Sequence, residues 1–451
     1  MPKELFMEKI LWISLGCDKN LVDSENMIGL LKKAGYQFTD MEEEATVIVI
    51  NSCCFIHDAK EESIDTIIEM GKYKENGNLK ALIVCGCLAE RYKDEIEKEL
   101  PEVDAIVGTS SIENILNVIN KVLDKDKEGI IKSFEDISKP AHTFADRENG
   151  TGGYTSYLKI AEGCDKCCTY CIIPKIRGSY RSIPIEELIE ESKRLVDDGI
   201  KELILVAQET TLYGVDLYGE KSLHKLLHEL GKINGLLWIR LLYCYPEEIY
   251  DELIDEIAKN RKVCHYLDIP IQHASDDILR RMGRRTSKED LINIINKLRN
   301  RIPDIALRTT LITGFPGETK EDHETLMGFV DEMEFDRLGV FTYSPEEDTP
   351  AALFKDQIEE EVKLDRRDEL MELQQEVSID KNNALIGKEF TVLIEGYLPD
   401  ENVYVGRTYM DAPSVDGNIF VSSDETLVSG DVLKVKVTGA YEYDLIGVLC
   451  S

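Results

Sequence analysis

The feature that most limits what this 451-residue chain can become is a recurring pair: a short apolar run rich in β-branched residues, then an amphipathic stretch of helical period. KILWISLG leads into a helix over 24–33 that stops at Gly35. ATVIVI precedes one near 60–73, ALIVCG one near 90–99 and DAIVG one near 112–123. Alternation of this kind implies parallel strands joined by crossover helices, so residues 1–145 are expected to form a doubly wound parallel α/β domain.

The polar, Gly-rich stretch DRENGTGGY (146–154) reads as a linker. After it YLKIAEG, ELILVAQ, LWIRLLY, CHYLDIP, IALRTTLITG and RLGVFTY each lie ahead of a helical pattern. Six such units predict an open, partial β/α (TIM-like) barrel over 146–383, with its chemistry at the carboxyl ends of the strands. A charged helical stretch, 357–383, closes this part. From 384 to 451 the texture changes to FTVLIEGY, VYVGRTY, NIFVS and VLKVKVTGAY with Gly and Asp turns, which predicts a small antiparallel β-barrel. Three domains suit a chain too long for one growing core.

Charge narrows the partners. Asp and Glu number 87 against 53 Lys and Arg, a net −34 that repels phosphate backbones and favours basic partners. The barrel repeats the bias: from Gly387 onward it carries four bases and eleven acids, and Tyr397, Tyr404, Tyr409 and Phe420 alternate with apolar residues as core positions do. A basic groove with stacking aromatics, as RNA binding needs, is missing from that pattern. The opening MPKELFMEKILWISLG suits neither a signal peptide nor a membrane span, so a cytoplasmic, membrane-free protein is expected.

Twelve cysteines in such a chain point to metal rather than to disulfides. Cys164, Cys168 and Cys171 form a C-x-x-x-C-x-x-C run in EGCDKCCTYC, just after a predicted strand. A cubane 4Fe-4S cluster normally takes four thiolates, so three leave one iron open. Cys164-x-x-Cys167 could instead begin a zinc site, but no second pair follows. Cys17, Cys53 and Cys87 each fall directly beyond a predicted parallel strand, one βαβ unit apart, on the edge where such sheets bind ligands. Three thiols should therefore converge there as a second cluster site, whereas Cys54, Cys85, Cys244, Cys264 and Cys450 read as buried hydrophobes.

Lesser candidates lie at strand ends. Gln208 ends ELILVAQ, and Arg240 within LWIRLLY needs a buried partner, either a cofactor carboxylate or a structural ion pair. Gly314 and Gly317 in TTLITGFPGET fit a close backbone approach to a ligand or an ordinary βα turn.

Together these motifs resemble the radical S-adenosylmethionine (SAM) methylthiotransferase family over nearly the whole chain. SLGCDKNLVDSE, NSCCFI and GCLAER resemble its amino-terminal domain, EGCDKCCTYCIIPKIRGSYRS its radical SAM core, and the tail its TRAM domain. Cys54, Cys167 and Glu209 are small departures. The resemblance implies two 4Fe-4S clusters, on Cys17, Cys53 and Cys87 and on Cys164, Cys168 and Cys171, with Cys167 a bystander. It also implies SAM on the open iron of the central cluster, Tyr170 beside the adenine, and Gly314 and Gly317 near SAM. The cysteines would be ligands, not nucleophiles, and no catalytic side chain beyond the clusters is implied.

VAQETTLYG, LLYCYP, DIPIQHASDD, FTYSPEEDTPA and GRTYMDAPSVDG look more like the branch that modifies an aspartate of the small-subunit ribosomal protein at the decoding centre than like the branch that modifies tRNA adenosine. Where the tRNA enzymes typically carry Gln-Ser-Gly-Ser, this chain has Gln272-His273-Ala274-Ser275. The implied chemistry is reductive cleavage of SAM, hydrogen abstraction from the aspartate β-carbon, and sulfur and methyl transfer. The implied partners are that ribosomal protein or the assembled subunit and an electron donor such as flavodoxin or ferredoxin, with no free tRNA. A tRNA methylthiotransferase and a non-catalytic electron-transfer protein are the rival readings. His273 and the acidic Glu346-Glu347-Asp348 run are weak candidates for gripping the target, a solvated charge run being the commoner case.

Overall fold

The computed structural model describes residues 8–124, 126, 128–150 and 153–450. The opening residues 1–7 and positions 151–152 of the Gly-rich linker lie outside the described residues.

Six parallel strands form the first sheet: β1 (Lys9–Ser14), β2 (Gln37–Phe38), β3 (Val47–Ser52), β4 (Ala81–Gly86), β5 (Ala105–Val107) and β6 (Ile131–Ser133), in spatial order β2-β1-β3-β4-β5-β6. The short outer strands β2 and β6 add to the four that the apolar runs predict. β3 is buried throughout because it is covered on both faces. Val47 and Val49 pack with Met27 and Leu31 of helix Asp18–Lys33 and with Ile115 and Ile119 of helix Ile115–Val122, while Ile48 and Ile50 pack with Ile67, Met70, Leu88 and Ile96 on the other side. Helices on both faces make this a doubly wound sheet, whose strand order reverses between β1 and β3.

The second sheet is also wholly parallel. It joins β7 (Thr155–Lys159), β10 (Glu202–Val206), β11 (Trp238–Leu241), β12 (Val263–Asp268), β13 (Ala306–Thr313) and β14 (Arg337–Thr342) in chain order, an open half-barrel, beside a small ribbon of β8 (Ala161–Glu162) and β9 (Arg181–Ser182). On one face Leu203, Leu205, Ile239, Leu241, Leu267 and Leu307 meet the helices. On the other, Ile204, Val206, Trp238, Tyr266 and Ala306 share a core with Phe390, Val392, Ile394, Met410 and Ile419 of the carboxyl-terminal barrel. That barrel therefore fills one face of the half-barrel.

Strands β15 (Glu389–Leu398), β16 (Val403–Arg407), β17 (Ile419–Ser422), β18 (Val432–Ala440) and β19 (Leu445–Leu449) close in the order β15-β16-β17-β19-β18. The pairing is antiparallel except between β17 and β19. An odd number of strands in a closed ring cannot alternate direction all the way round, so one parallel pair is forced. The reading of Tyr397 as core is corrected: near the end of β15 it stands 46% exposed, with its ring against Tyr404.

Among the described residues no helix is long and apolar enough to cross a membrane.

Candidate functional site

Cys17 caps helix Asp18–Lys33 just beyond β1, Cys53 follows β3, and Cys87 opens a short helix, Cys87–Arg91, directly after β4. All three thus sit at the carboxyl edge, around the reversal point of the sheet. Two glycines allow the approach. A Cβ on Gly16 (φ +87°) would lie 2.6 Å from Cys53 Cβ, and one on Gly86 (φ +90°) would lie 2.3 Å from the Asn51 side-chain oxygen. Burial pushes the Cys53 thiol up to about 12, and the neighbouring Cys87 and Cys17 sulfurs add like-charge repulsion.

The second set lies in the loop beyond β8. Cys164 donates its backbone N–H to Gly178, and Cys171 folds back onto the Cys168 carbonyl at 3.1 Å. Thr169 ties the loop to Met282 through a 2.9 Å backbone bond. Burial raises the Cys164 thiol, with Cys168 close enough to add to it, and Cys171 is raised in the same way by burial and then by Cys168 and Cys164. Cys167 is exposed, and its thiol meets only the Asp165 carbonyl, at 3.7 Å.

The two sets are linked across the domain boundary. Six residues after Cys171, at the end of helix Ile173–Arg177, Arg177 reaches the amino-terminal domain, where its guanidinium meets Asp23 at 2.7 Å, Asn20, and the Cys87 sulfur at 3.4 Å. Ile172 and Ile176 enter the same apolar core as Cys54, Cys87 and Leu88. On another side, Lys19 stands 3.4 Å from the Tyr243 ring centroid and Asp18 accepts from the Tyr243 hydroxyl at 3.2 Å. The Glu346-Glu347-Asp348 run forms a third link. Arg91 pairs with Glu346 at 3.0 Å, Tyr92 donates to Glu347 at 2.9 Å, and Lys175 donates to the Asp348 carbonyl. That run thus binds one domain to the next, with Glu346 buried and Glu347 and Asp348 exposed.

The remaining sequence candidates fall differently. Tyr170 packs edge-on against Phe315, whose preceding residue is Gly314. A Cβ on Gly314 (φ +66°) would strike Lys363 at 2.2 Å, and one on Gly317 (φ +84°) would strike the Arg281–Asp356 pair, so close packing within the chain accounts for both glycines. Gln208 donates to Glu162 at 2.9 Å, inside the Lys159–Glu162–Arg177–Asp23 network, which places it behind Arg177. Arg240 corrects the cofactor reading. It is fully buried, pairs with Glu202 at 2.8 Å and donates to the Tyr409 carbonyl at 2.6 Å. Glu202 also holds Arg407 at 2.7 Å. Arg240 thus belongs to an ion triad that seats the barrel. His273 is likewise fully buried, accepts from the Ser275 N–H at 2.9 Å, and is held down to about 3 by burial.

Sequence reasoning passed over Arg177, Tyr245 and Arg284. Arg177 stands inside the quoted CIIPKIRG segment, but nothing local marks it as an interdomain contact. Arg284 is one of four arginines in RRMGRR, and only burial separates it from its exposed neighbours.

Among the described residues no three His, Cys, Asp or Glu side chains converge as ligands of a single metal ion, which a tetrahedral zinc site would require. A four-iron cube asks for something else: each thiolate takes its own iron, so the sulfurs stand apart around it. Three unpaired thiols, drawn together and raised by burial and mutual repulsion, fit that demand, since a multiply charged metal centre favours the thiolates that burial disfavours.

Comparison with known proteins follows the same division. Residues 9–108 match the family described as "Uncharacterized protein family UPF0004", residues 158–330 the Radical SAM superfamily, and residues 386–450 the TRAM domain. The ribosomal protein uS12 methylthiotransferase RimO of Lachnoclostridium phytofermentans is 61% identical over 439 residues, 97% of this chain and 99% of that one. The enzymes of the same name from Acetivibrio thermocellus and Clostridioides difficile are 53% and 51% identical, each over 98% of both chains. Among solved structures, the radical SAM methyltransferase TsrM of Kitasatospora setae superposes with a TM-score of 0.53 at 13% identity, covering 77% of this chain and 74% of that one, a likeness of fold alone.

Proposed function

Because this chain belongs to the ribosomal protein uS12 methylthiotransferase (RimO) family, we propose that it is a SAM-dependent transferase that adds a methylthio group to the β-carbon of an aspartate on ribosomal protein uS12. The observation that supports this is the pair of cysteine trios beyond strand ends of two adjoining domains, linked by the contact of Arg177 with Cys87. The relatives act, by name, on ribosomal protein uS12, which favours this reading over tRNA adenosine.

In this reading Cys17, Cys53 and Cys87 hold one 4Fe-4S cluster and Cys164, Cys168 and Cys171 the other. Bound there with SAM, the clusters would supply the one-electron reduction, hydrogen abstraction, and sulfur and methyl donation that no protein side chain can perform on an unactivated C–H bond. The chain's own residues prepare the site. Arg177 places a fixed positive charge against Cys87 and offsets the charge of the thiolate trio. The Arg91–Glu346 and Asp18–Tyr243 contacts hold the two domains together around the trios. The acidic exterior favours a basic ribosomal protein, free or in the assembled subunit, over free tRNA. A small electron carrier such as flavodoxin or ferredoxin completes the partners.

The test is incubation of anaerobically reconstituted protein with SAM, a reductant and small ribosomal subunits, followed by mass spectrometry of uS12. A methylthio mass increase on one aspartate is expected. Unmodified uS12 beside modified tRNA would transfer the assignment to the tRNA branch, and failure to form 5′-deoxyadenosine would remove the radical SAM reading altogether.

A further inference from the structure

Arg284 is a buried cation with donors to spare. Its side chain is 1% exposed, and the guanidinium carbon lies 4.3 Å from the centroid of the Tyr245 ring. One nitrogen, Nη2, donates to the Pro270 carbonyl at 2.9 Å. Nε and Nη1, which carry three of the five N–H donors of a guanidinium, meet no acceptor among the described residues. The Glu247 carboxylate stands 3.8 Å from Nη2, beyond hydrogen-bond reach and on the nitrogen already engaged, and Lys166 draws on the same carboxylate at 3.6 Å.

A buried charge is costly unless paired, and buried donors are seldom left open in a folded protein without a reason. The position supplies one. Arg284 follows Gly283, which is pressed so close to the central cysteine loop that a Cβ there would lie 2.8 Å from the Cys167 carbonyl. The Tyr245 hydroxyl, on the ring stacked against Arg284, lies 3.9 Å from the Cys168 sulfur. Arg284 and Tyr170 are near enough to interact electrostatically. Open guanidinium donors are thus held beside the central trio. A planar fork of N–H groups is matched to a carboxylate, which it binds through parallel, charge-assisted hydrogen bonds.

We propose that Arg284 is a carboxylate receptor at the central cysteine site, holding the carboxylate of a molecule bound against Cys164, Cys168 and Cys171. The assignment rests on the functional reading above, which brings two carboxylates to this place: the amino-acid carboxylate of SAM and the side chain of the target aspartate. Of the two readings the sequence leaves open for Arg240, a cofactor carboxylate or a structural ion pair, the structure supports the second. That residue already has Glu202.

The experiment compares reconstituted full-length wild type with Arg284→Lys and Arg284→Met, each checked for iron content, by equilibrium binding of two matched pairs. One pair is SAM and decarboxylated SAM; the other is a peptide of the target loop with Asp or with Asn at the modified position. Wild type should prefer the carboxylate-bearing partner of one pair by about ten- to a hundredfold, the range for a charged hydrogen bond. Arg284→Met should abolish that preference, and Arg284→Lys should keep part of it. Loss confined to the first pair assigns the cofactor as the source, and loss confined to the second assigns the target. Undiminished preference in Arg284→Met for both pairs overturns the proposal, as does loss of iron from both variants, which would make Arg284 a support of the cysteine loop. Wild type that binds neither form of SAM sinks the functional reading itself, whereas wild type that discriminates alongside an Arg284→Met that discriminates equally sinks this assignment alone.

Discussion

The Arg177 guanidinium lies 3.4 Å from the Cys87 sulfur, so the segment that follows the central cysteines reaches across the domain boundary to touch one of the amino-terminal ones. Hydrogen bonds to ligand sulfur set both the retention and the potential of an iron-sulfur centre. Arg177→Met should therefore loosen the amino-terminal cluster by about ten- to a hundredfold in resistance to chelators and make it harder to reduce, with Arg177→Lys intermediate. Chelator kinetics and an EPR redox titration check this; an unchanged potential in Arg177→Met would remove the electrostatic role.

Replacing Cys17, Cys53 and Cys87 together by Ala should leave the central set intact. Reconstituted wild type is expected to bind about eight irons and the triple variant about four. Full iron content in the triple variant would show that the amino-terminal trio holds no cluster.

Glu202 stands between Arg240 and Arg407, which overcome the effect of burial and hold its carboxyl down to about 2. Its contribution to stability is present above the ordinary glutamate value of about 4.3 and is lost as pH falls from there toward about 2. Glu202→Gln strands two buried guanidinium groups and should destabilise the seating of the carboxyl-terminal barrel by about 3–5 kcal/mol at neutral pH. Denaturant unfolding measures this, and the difference from wild type should shrink on acidification through that window.

His273 also costs stability on acidification, through burial of a base rather than loss of a pairing. Burial keeps it neutral down to about 3, so below about 6.5 the unfolded chain takes up a proton that the folded chain refuses. Stability should fall by about 1.4 kcal/mol from this residue at pH 5.5. His273→Asn is expected to be less steeply pH-dependent between pH 7 and 5.5, and parallel unfolding curves for the two proteins would contradict the assignment.

Much of the architecture is legible without coordinates because its signals are local. The all-buried runs of β3 and β4 declare sheets covered on both faces. The similar spacing of Cys17, Cys53 and Cys87, about one βαβ unit each, declares a common edge, and the helix over Glu360–Asn383 lies within the charged stretch read as helical. What escapes are short edge strands such as β2, two residues long, whose apolar content is too slight to register, and the exposure of Tyr397, which follows from its place near the end of a strand.

The division between Arg240 and Arg284 states the rest. Periodicity, glycine placement and cysteine spacing act over one strand or one crossover, so the chain by itself determines three folding units and two convergent sets of thiols. Which buried arginine is paired depends on residues far away along the chain: Arg240 meets Tyr409 of the carboxyl-terminal barrel, while Arg284, next to the Gly283 that packs on the cysteine loop, keeps donors open among the described residues. Charge pairing in a packed interior is decided by distance in space, and only the assembled domains supply that.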